Sequence, residues 1–124
     1  MNRPLNLRGT STESRYYRWL TGMPCCLSAR TDRVQRAHTG GLSEGKGMSR
    51  KAPLWTVLPL YWSLHAVEER QRKRFWGEVG IEPIPHAERL FDMFEVNDRT
   101  GAELMLADMH EAANLEYLAE HIHG

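Results

Sequence analysis

The stretch between His38 and His65 constrains the fold more than any other part of the chain. It opens with GGLSEGKGMSRKAP, where four glycines break any helical or alternating pattern, so it reads as a long loop. A strand candidate precedes this loop at residues 33–37 and a second follows at residues 56–60. Ser63 then reads as an N-cap, with Leu64, Val67, Gln71 and Phe75 at helical spacing behind it. Glu68 and Glu69 come early in that helix and Arg72, Lys73 and Arg74 late, as the helix dipole favours; Gly77 and Gly80 close it. The order strand, loop, strand, helix predicts an α+β fold with His38 beside a strand end and His65 in the first turn of a helix.

The flanks read more simply. Residues 1–14 are expected to form a flexible N-terminal arm, residues 15–80 the core, and residues 81–124 a helical extension packed on it. Tyr16, Tyr17, Trp19 and Leu20 fit a short helix or an extended piece ended by Gly22 and Pro24. Pro85 starts an amphipathic helix through residue 95, with Ala87, Leu90, Phe91 and Phe94 on one side. Thr100 and Glu103 form a capping-box pattern for a last helix reaching about residue 122. Its stripe of Met105, Met109, Ala112, Leu115, Leu118 and Ile122 suits a core face or a homodimer face.

The net charge of zero conceals an asymmetry. Residues 1–51 hold ten Lys and Arg against three acids, a net of +7, so the rest carries −7. A segment that basic can follow a phosphate backbone, because each neutralised phosphate releases condensed counterions. Cys25 and Cys26 are adjacent, which strains a mutual bridge and excludes a disulfide framework. No apolar run approaches the roughly 18 residues of a membrane span, and the N-terminal residues lack the apolar core of a signal peptide, so a cytoplasmic protein is expected.

Four pieces together carry a family likeness: Pro24-Cys25, Ala37-His38, the Gly/Lys-rich residues 45–51, and the segment from Pro59-Leu60 to His65. Their order and spacing resemble the core of small phage and prophage HNH-like endonucleases, including the recombination-enhancement type. The likeness covers roughly residues 15–95, because ERQRKRFWGEVGIEP resembles the helix and turn that follow such cores. It implies a treble-clef-like ββα-metal core with a helical C-terminal extension. The chain also departs from the pattern. Of four zinc-ligand positions only Cys25 is kept, the others being Ser28, Tyr61 and Leu64, so no structural zinc is expected and Tyr61, Trp62 and Leu64 should pack in its place. Ala37-His38 stands where many relatives have His-His, and Leu54 where they carry Asn or Asp.

The resemblance implies a divalent-metal-dependent DNA endonuclease using Mg²⁺, Mn²⁺ or Zn²⁺. His38 would be the catalytic base, since an imidazole with an ordinary pKa near ~6.5 can take a proton from water at neutral pH. His65 and Glu69, at i and i+4 on one helix, would hold the metal. Arg36, Lys46, Arg50 and Lys51 would contact DNA phosphates. Two rivals follow from the same residues: a non-catalytic DNA-binding protein on the same scaffold, and a protein-interaction module using the acidic C-terminal helix. His110, His121 and His123 are expected to be incidental, and Trp55, Trp62 and Trp76 to serve packing rather than base stacking.

Overall fold

The computed structural model describes residues 7–40 and 53–123. Within them the chain is α+β: six α-helices, one 3₁₀ turn and a two-stranded antiparallel sheet. The first helix, α1, spans Ser11–Leu20 and buries Tyr16 and Leu20, an i, i+4 pair on one face. Gly22, at φ 88°, turns the chain away from it in a conformation that a side chain resists.

Strand β1 is Val34–His38 and β2 is Val57–Tyr61, each one residue later than the sequence suggests. Val34 pairs with Tyr61 and His38 with Val57. At the open end of the hairpin Thr39 closes the ladder twice on the Thr56 carbonyl, through its N–H at 2.8 Å and its hydroxyl at 2.7 Å. A 3₁₀ turn, Leu54–Thr56, leads into β2. Every residue of β2 is buried. Its free edge is covered by the loop after α1, where the Cys26 N–H donates to the Pro59 carbonyl at 3.0 Å. Amide N and carbonyl of one strand residue point the same way, so the N–H that Pro59 lacks faces this loop and costs the ladder nothing.

The helix expected from Ser63 onward is two helices, α2 at Trp62–Arg70 and α3 at Arg72–Val79, broken at Gln71 (φ −137°, ψ 48°). Across the break Arg72 reaches back to Glu68, a fully buried carboxylate that accepts from Arg72 Nε at 2.8 Å and from Trp76 Nε1 at 3.1 Å. Arg72 Nη1 also donates to the Gly40 carbonyl at 2.8 Å, which ties α2 and α3 to the end of β1. Ser63 does not cap α2. Its hydroxyl donates to the His121 carbonyl at 2.6 Å and accepts from the His123 N–H at 3.1 Å, anchoring the C-terminal segment instead. Gly77 lies inside α3, and Gly80 alone ends it, at φ 83°.

Helix α4 spans Pro83–Glu95, starting two residues before the expected proline. Helix α5 spans Arg99–Ala112 and is capped by Asp98, whose carboxylate accepts from the Gly101 N–H at 2.9 Å, rather than by a Thr100 capping box. The chain breaks again at Ala113, and Asn114 caps a short α6, Leu115–Ala119. That break shifts the buried stripe to Ala102, Met105, Leu106, Met109 and Ala113, leaving Ala112 and Leu115 exposed. Met105 and Met109 therefore belong to the core. One core runs through these elements, with Tyr61, Phe75, Leu90 and Phe91 among its fully buried members. Each such side chain contributes about 1.5–3 kcal/mol by leaving water. Among the described residues no helix is long and apolar enough to cross a membrane.

Candidate active site

β1 carries the polar residues of the site. Three positions apart on a regularly paired strand, Gln35 and His38 leave it on opposite faces. His38 meets α1, where the Tyr17 hydroxyl lies 3.0 Å from its Nε2. Gln35 meets α2, where its Oε1 lies 2.7 Å from His65 Nδ1. Each histidine thus has its own partner, on its own face of the strand.

The His38 imidazole is half-buried, and its pKa is lowered to about 4. Loss of hydration is the first cause; Arg8, His65 and Arg36 add to it by repelling a second positive charge, and Glu13 works the other way. At neutral pH the ring is accordingly uncharged and retains a lone pair. The Arg36 guanidinium lies over the Tyr17 ring, 4.2 Å from its centroid, which holds a cation beside His38 without an ion pair.

The partner of His65 fixes its tautomer. With the Gln35 amide oxygen as acceptor, Nδ1 carries the proton, and in the neutral ring the lone pair sits at Nε2. Nε2 faces the Glu69 carboxylate at 3.8 Å, so two lone-pair donors approach one another with room for a cation between them. Ligands of one Mg²⁺ at about 2.1 Å stand about 3.0 Å apart in cis and about 4.2 Å apart in trans, a range that includes this pair. Glu69 is exposed and can adjust, whereas His65 is held. Among the described residues no group of three or more His, Cys, Asp and Glu converges on a metal position. A hydrated Mg²⁺ or Mn²⁺, which keeps several waters and takes substrate phosphate as a further ligand, fits two protein donors; catalytic Zn²⁺ takes three.

Of the residues singled out by the sequence, the structure sets Arg36 over the ring of Tyr17, the partner of His38, and Glu69 beside His65; the two pairs of partners leave β1 from opposite faces. Lys46, Arg50 and Lys51 lie outside the described residues. Gln35 and Tyr17 escaped the sequence reading. No local spacing announces them, because Tyr17 reaches His38 from a different element and Gln35 reads as an ordinary exposed strand residue.

The other positions at which the resemblance implied metal ligands are filled by packing. Leu27 and Ser28 direct their N–H groups at Cys25 Sγ, at 3.4 and 3.3 Å, and Ala29 N–H closes the turn on the Cys25 carbonyl at 3.0 Å. Ala29 takes φ 65° to do so, a conformation that costs a non-glycine residue about 1 kcal/mol or more. Tyr61 and Leu64 are fully buried; the Tyr61 hydroxyl donates to the His123 carbonyl at 2.7 Å, and Arg30 covers the ring 4.5 Å from its centroid. Cys25 and Cys26 are free and buried, and burial pushes the Cys26 thiol well above its ordinary pKa. Ala37 and Leu54, at the other departures, are fully buried. Of the incidental histidines, the His110 ring contacts the Leu27 carbonyl and that of His121 packs on Tyr117. Trp76 is buried against Glu68, which is a packing role.

Comparison with family models, with curated proteins and with solved structures returns no match to this chain.

Proposed function

We propose that this chain is a divalent-metal-dependent DNA endonuclease of the HNH kind, on a ββα core whose structural zinc corner has been replaced by apolar packing. The observation that carries the reading is His65, held at Nδ1 by Gln35, facing Glu69 across 3.8 Å, with a half-buried His38 on the same strand as Gln35. The knuckle turn at Cys25, with two N–H groups on one sulfur, supports the scaffold reading, since such groups stabilise a metal-bound thiolate.

In this reading His65 Nε2 and Glu69 hold Mg²⁺ or Mn²⁺, and Gln35 orients the imidazole from behind, as carbonyl partners of ligating histidines do. Bound metal supplies charge stabilisation at the scissile phosphate and its leaving oxygen. His38 takes the proton from the attacking water; its low pKa keeps the lone pair available at every pH above about 5. Arg36, and Lys46, Arg50 and Lys51 of the loop, attract the phosphate backbone.

The test is plasmid nicking with Mg²⁺ or Mn²⁺ by the wild type and His38→Ala. The reading expects nicking that falls at least about a hundredfold in the variant; equal nicking in both, or none in either, contradicts it. Leu54 and Ala37, buried where polar residues would complete the site, favour a second reading, a DNA-binding protein that has lost catalysis. That rival predicts binding that weakens steeply with salt and no nicking.

A further inference from the structure

The two edges of the sheet differ. That of β2 is occupied by the loop after α1, through the Cys26 N–H on the Pro59 carbonyl, whereas that of β1 is open. Antiparallel strands exchange hydrogen bonds at every second residue pair. Thr39 N–H donates to the Thr56 carbonyl at 2.8 Å, and the Arg33 carbonyl accepts from the Trp62 N–H at 3.0 Å. These two residues frame β1, so Gln35 and Ala37 between them also turn to β2, and Val34, Arg36 and His38 direct their N–H and C=O groups outward. Among the described residues none of these outward groups has a hydrogen-bonding partner. Beside the edge lies a groove of about 240 Å³ between β1 and the end of α1. Leu20, Met23 and Pro59 give it apolar surface; Arg33 and Arg36 are its cations, and among the described residues no acid lines it. The exposed Arg36 guanidinium is held over Tyr17, 4.2 Å from the ring centroid.

We propose that the free edge of β1 is the docking site for an extended acidic segment of a partner protein, which adds to the sheet as a third strand. Val34 and Arg36 together offer two donors and two acceptors, repeating at about 6.7 Å, the two-residue step of a strand. Another peptide backbone presents matching acceptors and donors at that step. A phosphate backbone has acceptors alone and leaves both carbonyls unmatched. The charges decide which strand enters. A second copy of β1 laid against the first brings arginine toward arginine, and like charges across a ladder repel. Acidic residues of an added strand meet Arg33 and Arg36 instead, while its alternate side chains enter the groove over Leu20 and Met23. The proposal does not rest on the nuclease reading.

The probe is a blocked peptide of alternating valine and glutamate, added to ¹⁵N-labelled full-length protein and followed by amide hydrogen exchange. In the free protein the Val34 and Arg36 amides should exchange fast and those of Gln35 and Ala37 slowly. Peptide should slow Val34 and Arg36 by about tenfold or more, and a fully N-methylated peptide should not. Val34→Pro removes one outward N–H and leaves the ladder to β2 intact; it should weaken binding about fivefold or more. Arg36→Glu, at an exposed position, keeps the test open even where the proline variant fails to fold: it should disfavour the glutamate peptide and favour one of alternating valine and lysine. No slowing at millimolar peptide, equal binding of the N-methylated form, or a wild-type preference for the lysine peptide overturns the proposal. Slowing of the same amides by a single-stranded oligonucleotide in place of the peptide also overturns it and assigns the edge to nucleic acid. Slowing that grows with protein concentration alone overturns it in favour of a second copy.

Discussion

Two corners of this molecule hold the positions at which the family likeness places metal ligands, and they have gone opposite ways. Around Cys25, Ser28, Tyr61 and Leu64 the backbone keeps a knuckle turn, while the side chains have become a dry contact of an aromatic ring, a leucine and a covering arginine. Around His38, His65 and Glu69 the side chains are polar, and each histidine is held by a neutral hydrogen-bonding partner. A metal that only staples a fold can be replaced by buried area, because packing supplies the same kind of free energy. A metal that binds substrate has no apolar substitute. Under the proposed function, polar donors in one corner and apolar packing in the other are what that difference in task predicts.

The sharpest way to break the comparison is to remove the replacement. Tyr61→Ala empties a fully buried site and should destabilise the fold by about 3–5 kcal/mol in urea unfolding. A loss below about 1 kcal/mol would mean that Tyr61 does not replace the staple. Glu68→Ala strips the acceptor from Trp76 and Arg72; because Arg72 is partly exposed, the expected loss is about 2 kcal/mol, measured in the same way.

Acid provides a third test. An unfolded His38 binds a proton as the pH drops through 6.5, whereas the folded ring does so only near 4. Between those values the unfolded chain holds more protons, so stability declines as pH falls from about 6.5 to 4 and the contribution is flat above that window. With the ring partly screened by solvent the decline attributable to His38 is about 2 kcal/mol. Comparison of pH-dependent unfolding with His38→Gln checks it: the variant should lack that part of the slope, and an unchanged slope refutes the burial of a neutral imidazole. Smallest is Glu69→Gln, expected to weaken Mn²⁺ binding about tenfold while stability stays within about 0.5 kcal/mol, since the side chain is exposed. Calorimetry of Mn²⁺ binding and urea unfolding together measure both halves.

Particular residues show why some of this was legible beforehand. The two strands, the break after Gly22 and the helix from Pro83 rest on local pattern, and local pattern placed them within two residues. Gln71 interrupts a run of good helix formers, and nothing near it announces that. Ser63 has the chemistry of a cap, but the C-terminal segment takes its hydroxyl from 58 residues away. Glu68 and Glu69 are indistinguishable as letters, and only helix phase makes one a buried acceptor and the other a candidate ligand. The candidate site was legible as far as His38, His65 and Glu69; Tyr17 and Gln35 enter it through contacts that no spacing records.

The difference between the two corners is tested most directly by adding Mn²⁺ to isotopically labelled protein and following paramagnetic broadening, which falls steeply with distance from the ion. The account predicts broadening centred on His65, Glu69 and Gln35 and weaker at Cys25. Broadening centred on Cys25, or none at millimolar Mn²⁺, would contradict it.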